Sequence, residues 1–201
     1  INAVGGLFGE EILAPILVRF MAENPDIEIE LSFSSTREDL IEAQYDLVVR
    51  MGVLANSNLI GRKLTRYTNH LVASPNYLKS MPALNSPKDL LDHALINGSV
   101  RRWSFTNTSN EEKYEVPVQG KLKCSNGHVA KLATLSGAGI SRQPAYYVEQ
   151  EIESGRLIEI LPQWQLPSSD VTLLYPQSRN ISLRVKALVH YLIEAFKISN
   201  D

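Results

Sequence analysis

The sequence predicts an α/β protein of two Rossmann-like subdomains, joined by a hinge and separated by an inter-lobe cleft. Three observations lead there. Strand and helix patterns alternate through residues 1–51, a second run of α/β signals fills residues 70–160, and a strand and a long amphipathic helix close the chain. Alternation of this kind is the mark of parallel sheets with crossover helices.

Residues 1–4 read as a short strand leading into the loop Gly5-Gly6-Leu7-Phe8-Gly9. Ile12, Leu13, Ile16, Leu17, Phe20 and Met21 then recur at helical spacing, and the helix ends near Asn24-Pro25. Pro15 falls early in it, at a first-turn position or a kink. Ile27, Ile29, Leu31 and Phe33 alternate with polar residues, which predicts a strand with those four on one face. Ser35-x-x-Glu38 is a capping box opening a short helix through Leu40 and Ile41. The stretch YDLVVRM, residues 45–51, is a strand with too little alternation to be wet on one side.

The second run starts with HLVASP, residues 70–75, a strand stopped by proline. Ser86-Pro87 with Asp89 is a capped helix start. Short strands follow around Leu95-Ile96, Trp103 to Phe105 and Glu115 to Lys123. Asn126-Gly127-His128 opens a helix carrying Val129, Leu132, Ala133 and Leu135. GAGIS returns to a strand, and Gln143-Pro144 opens a helix closed by Gly155. LIEIL and VTLLYP are strands, and Ser182 caps a last helix with Val185, Leu188, Leu192 and Phe196. The division expected is 1–72 with 168–201 as one subdomain and 73–167 as the other. The crossings then lie near Leu71 to Ser74 and Leu161 to Asp170.

Bulk properties narrow the function. Lys and Arg number 20 against 22 Asp and Glu, a net charge of −2, which is a poor footprint for gripping phosphates. The single cysteine, Cys124, permits no internal disulfide and fits a reducing compartment. No apolar run reaches the roughly 18 residues of a membrane span, which suggests a soluble protein. The opening on INAVGG, with an apolar first residue already in a strand, suggests a piece of a longer protein.

Catalytic signals are thin. The four histidines show no metal-ligand spacing and read as surface or element-end residues. No G-x-S-x-G elbow occurs, and Cys124 reads as a packed thiol rather than a nucleophile. Gly137-Ala-Gly139 lacks the strand-before, helix-after context of a dinucleotide loop, so it reads as a helix C-cap. No metal, cofactor or enzyme activity is expected.

Binding signals are better. Gly5-Gly6, Ser35-Thr36, Asn126-Gly127 and Gln143-Pro144 all stand at predicted helix starts, where free backbone N–H groups and the helix dipole favour anions. Arg50 ends a strand on the side where ligands of open α/β sheets bind, and its guanidinium suits a carboxylate. Arg101, in the doublet before Trp103, is a weaker candidate with a solvated strand end as the alternative.

The ordered series PILVRFMAENPDIEIELSFSS, YDLVVRMGVLANSNLIGRKL, LVASPNYL, LSGAGISRQPAYYV, SGRLIEILPQW and LLYPQSRNISLRVKALVHYL resembles the effector-binding domain of LysR-type transcriptional regulators over essentially the whole chain. That resemblance implies a periplasmic-binding-protein-like (type 2) fold and a last helix packed on the first subdomain. It implies a small-molecule effector, which the helix starts and Arg50 suggest is anionic, pairing into a homodimer or homotetramer, and a cytoplasmic regulator. Contact with DNA would come only through a winged helix-turn-helix absent from these 201 residues. Effector positions carry over to Gly5, Gly6, Leu7, Thr36, Asn126, Gln143 and Pro144. Many relatives have a hydroxyl residue where Gly5-Gly6 stands, so only backbone donors are left there. The alternative on the same fold is a free-standing solute-binding protein for transport.

Overall fold

The computed structural model describes residues 1–34, 45–52, 59–98, 100–177 and 181–198. The chain divides into two compact units, Ile1–Arg66 with Ser169–Asp201, and Tyr67–Ser168.

In the first unit, β1 (Asn2–Ala3) lies between β2 (Ser32–Phe33) and β3 (Val48–Met51), parallel to both. Strand β11 (Ser169–Pro176) runs antiparallel to β3, and β4 (Leu59–Tyr67) completes the order β2-β1-β3-β11-β4. The parallel start is the one the sequence predicts. The first helix begins earlier than its apolar spacing suggests. A π-helical segment, Phe8–Leu13, runs into α1 (Ala14–Glu23), and the Ala14 N–H donates to Gly9 O. Pro15, which has no N–H to give, follows directly where the π-helical turn passes into α1.

Helix α5 (Leu183–Ile198), capped by Ser182 Oγ accepting from Val185 N at 3.3 Å, packs on α1 within this unit. Phe196 stacks on Phe8 at 5.9 Å, Phe20 meets Tyr191 at 5.1 Å, and Tyr191 Oη donates to Glu23 at 3.0 Å. This is the docking the family resemblance implies.

The second unit holds β5 (Asn69–Ala73) between β8 (Ser141–Pro144) and β9 (Ile158–Glu159), antiparallel to both. A second small sheet joins β6 (Arg102–Asn107), β7 (Lys113–Pro117) and β10 (Trp164–Gln165). Helices α2 (Pro75–Lys79), α3 (Gly127–Leu135) and α4 (Ala145–Glu153) complete it, with a 3₁₀ turn at Pro87–Asp92. Asp89 Oδ2 accepts from the N–H groups of Asn85 and Ser86, both at 2.9 Å, as the Ser86-Pro87 signal requires. Leu71, Leu90, Trp103, Phe105, Val116 and Ile140 are at the centre of this unit's core.

Several expectations need correction. Only Ser32–Phe33 of the predicted strand 27–33 pairs, because β1 offers it two residues. Phe33 is 44% exposed instead of sharing a face with the half-buried Ile27, Ile29 and Leu31. The strand expected over 115–123 stops at Pro117. Its continuation is turned by Gly120, where a Cβ would sit 1.6 Å from Leu95 O. Residues 71–74, expected as a crossing with a boundary at 72/73, lie in or next to β5, which is paired on both sides inside the second unit. The chain therefore passes between units at Arg66/Tyr67 and Ser168/Ser169. The capping box at Ser35 and its helix lie outside the described residues. Among the described residues no helix is long and apolar enough to cross a membrane.

Candidate functional site

The loop after β1 is built by its glycines. Gly6 has φ +82°, a left-handed conformation that favours glycine, and its carbonyl accepts from Glu10 N at 3.0 Å. A Cβ on Gly9 would lie 2.5 Å from the Phe33 ring and 2.6 Å from Val4 O, so only glycine fits there. Gly5 is half-buried, and Leu7 is buried among core residues, leaving its backbone as the polar part. Thr36 lies outside the described residues.

Arg50 is 7% exposed, far more buried than a strand-end residue facing solvent. Its Nη2 donates to Asn2 Oδ1 at 2.6 Å and to Ser34 Oγ at 3.5 Å, and its Nη1 to Val49 O at 3.0 Å. Asn2 Nδ2 donates in turn to Ser32 Oγ at 3.0 Å, and Ser34 Oγ to Asn2 Oδ1 at 3.1 Å. A polar cluster of Asn2, Ser32, Ser34 and Arg50 therefore joins the three parallel strands. Sequence reasoning places Arg50 and Ser34 at the carboxyl ends of these strands and misses Asn2 and Ser32. The signal for them was a polar residue at an inward position of a short strand.

In the second unit the helix starts fall where the sequence puts them, and some of their first N–H groups already have partners. Asn126 Oδ1 accepts from His128 N at 2.9 Å and Val129 N at 3.2 Å, capping α3 with its own side chain. Pro144 is the N-cap of α4, and the Ala145 N–H donates to Thr68 O at 2.9 Å. Two first-turn donors of α3 and one of α4 are thereby taken.

Gln143 is among the buried side chains that keep an unpartnered polar atom. It is 1% exposed, its Nε2 donates to Ser141 Oγ at 3.1 Å, and its Oε1 has no donor among the described residues. The direction of this chain of bonds is fixed. Thr134 Oγ1 lies 2.8 Å from Ala130 O, a contact that only the Thr134 proton can make favourable. Ser141 must then donate across its 2.7 Å contact to Thr134 Oγ1. Having spent its proton, Ser141 Oγ can only accept, so the Gln143 amide nitrogen faces it and the oxygen faces away. A buried acceptor of this kind is costly to leave unpaired.

Helix α3 packs on β8 and α4, which brings Asn126 and Gln143-Pro144 into one region. The contact is close. A Cβ on Gly127 would be 2.6 Å from the Tyr147 ring. The Tyr147 ring is tilted against that of Tyr146 at 4.7 Å, Tyr146 meets Tyr67 at 4.2 Å, and burial drives the Tyr146 phenol far above its usual range. Arg101 is elsewhere in the unit. It is exposed ahead of β6, with its carbonyl accepting from Val118 N at 2.8 Å, while Arg102 takes the ion pair with Glu115 at 3.1 Å.

The histidines correct another expectation. His93 is at an element end as expected, the C-cap of the 3₁₀ turn, but it is buried, 7% exposed and 3.2 Å from the Tyr77 hydroxyl, instead of lying at the surface. Burial pushes its pKa down. His70 Nδ1 pairs with Glu159 at 2.6 Å. Gly137 (φ +80°) and Gly139 (φ +146°) end α3 as the C-cap reading predicts, with Ala138 N donating to Ala133 O at 3.0 Å.

A sequence model described as the LysR substrate binding domain matches residues 3–197. The chain belongs to that family. The full-length Vibrio cholerae virulence activator AphB, a member of the LTTR protein family, has a similar structure. Its TM-score is 0.84 at 30% identity, covering 96% of this chain and 66% of that one. The regulatory domain of the C227S variant of AphB from Vibrio vulnificus superposes with a TM-score of 0.83 at 30% identity, covering 97% and 96%. Among curated relatives, the transcriptional regulator PtxR of Pseudomonas aeruginosa is 30% identical over 187 residues, 90% of this chain and 59% of its own. An uncharacterized HTH-type regulator of Haemophilus influenzae is 30% identical over 183 residues, 90% of this chain and 64% of its own. The chain thus spans about 60% of the length of these two relatives. As a LysR substrate-binding domain it has the two-lobe α/β architecture expected from the sequence, and its relatives are named as regulators of transcription.

Proposed function

We propose that this LysR substrate-binding domain senses a small, anionic metabolite and, within the whole protein, governs DNA binding in response. The observation that carries the reading is the family match over residues 3–197. A sensor needs differential affinity. An effector changes the population of states only as far as it binds one of them better. The domain acts by binding rather than turnover, in a cytoplasmic regulator that pairs with further copies of itself.

The residues we assign to the effector are Asn126, Gln143 and Pro144 in the second unit, and the Gly5-Gly6-Leu7 loop, Thr36 and Arg50 in the first. Arg101 is retained as an outer cation. Gln143 Oε1 supports one refinement. It needs a donor, so the effector carries a hydroxyl or ammonium group besides its carboxylate. Thermal-shift screening of the chain against hydroxy acids, amino acids and simple carboxylates tests this. A stabilising hydroxy or amino acid is the expected hit. Absence of any hit across the three classes would remove the effector role. Sedimentation of the whole protein as a monomer would count against the regulator assembly.

A further inference from the structure

The first unit has a groove that the effector residues do not use. Leu188, Leu192 and Phe196 turn one face of α5 into the core. The neighbouring face, at helical spacing, brings Lys186, Val189, His190 and Ile193 to a cavity of about 380 Å³. Ile60 and Arg62 of β4, Tyr175 of β11 and Ile181 complete the lining. That volume lies within the roughly 300–1,000 Å³ of small-molecule pockets.

Two kinds of surface meet there. Ile60, Ile181, Val189 and Ile193 are each only partly buried, so the apolar wall still has area to remove from water. Arg62, Lys186 and His190 supply cationic or ionisable nitrogen, and no Asp or Glu is among the described residues that line it. Neither Arg62 nor Lys186 has an ion-pair partner among the described residues, whereas Lys63 and Arg66 of the same strand share Asp170. Glu194, the carboxylate near His190, is taken by Lys197 at 2.7 Å. Excess positive charge beside an unfinished apolar wall is complementary to an amphipathic anion.

We propose that this groove is a second ligand site, taking a monocarboxylate with an aromatic or branched aliphatic body. The body lies against Ile60, Val189 and Ile193, and the carboxylate meets Arg62 and Lys186. The site shares no residue with the effector set above and does not depend on it.

Titration calorimetry on the chain at low ionic strength, with phenylacetate and isovalerate as probes, tests the proposal. Phenylacetate is expected to bind, the uncharged phenylacetamide at least tenfold more weakly. The Arg62→Ala/Lys186→Ala double variant, changed only at exposed side chains, is expected to lose at least tenfold in affinity. No heat and no thermal stabilisation from either carboxylate up to about 10 mM, tenfold above a millimolar Kd, would overturn it. So would equal binding of the amide. Binding that survives in the double variant and disappears in Gln143→Ala would place phenylacetate at the effector residues instead. Loss of self-association in the double variant, with no carboxylate binding in the parent, would assign the groove to a second copy of the chain.

Discussion

At the scale of single residues, the Thr134–Ser141–Gln143 chain is where geometry says most. Its members read in the sequence as a mid-helix threonine, a strand serine and a helix-opening glutamine. Only the fold shows that their hydroxyl and amide groups share one buried line. Ser141→Ala removes the acceptor of one bond and the donor of another while leaving both partners buried. It is expected to cost about 1–3 kcal/mol, read by urea unfolding. His93 gives a pH signature. Desolvation lowers its folded-state pKa below the ordinary value near 6.5, so the unfolded chain binds its proton first as pH falls. Stability from this group is present above pH 6.5 and is lost as pH drops from there through the lowered folded value. His93→Gln is expected to flatten that part of the pH–stability curve. An unchanged slope between pH 7 and 5, a range set about the ordinary value, would contradict it. Neither Arg50 nor His93 was legible as buried, because periodicity locates apolar faces and says nothing of a long polar side chain that finds partners inside.

At the scale of elements, helix starts were the most legible feature. Caps are local chemistry, and Asn126, Ser86 and Ser182 each stand where the sequence puts them. Asn126→Ala is expected to destabilise the chain by about 1 kcal/mol through α3, measurable as a shift in unfolding midpoint. The strands were harder. β4 escaped notice because Arg62, Lys63 and Arg66 interrupt its alternation, and such charges are what an edge strand carries. Two of them hold Asp170 across the β4–β11 pair, and the Arg66 and Lys63 contacts pull its carboxyl down to about 2. This group's contribution is present above the ordinary carboxylate value and is lost as pH falls toward 2. The pair is largely exposed, so Asp170→Asn is expected to change stability by less than about 1 kcal/mol, with the difference shrinking in high salt. Gly139→Ala belongs at this scale too. Its φ of +146° and an approach of 2.2 Å to Ala94 O leave no room for the Cβ, and unfolding at a clearly lower denaturant concentration is expected.

At the scale of the whole molecule, the two-unit plan was legible because each unit repeats the alternation of strand and helix on its own core. The boundary was legible only to within a strand. Residues 69–73 look alike whether they cross or pair, and the partners β8 and β9 that decide the matter lie far along the chain. The candidate site was legible as positions and not as chemistry. Asn126 and Gln143-Pro144 do come together, several of their backbone donors are already taken, and in our proposal recognition passes to a side-chain oxygen whose direction only the bond chain reveals. The central claim is that this domain binds a metabolite through those side chains. Calorimetric titration of the best-stabilising hydroxy or amino acid into the parent chain and Gln143→Ala tests it most directly. The account predicts one-to-one binding in the parent and at least tenfold weaker binding in the variant, the worth of a buried hydrogen bond of about 1.4 kcal/mol. Equal affinity in the two, with the variant folded, would contradict it.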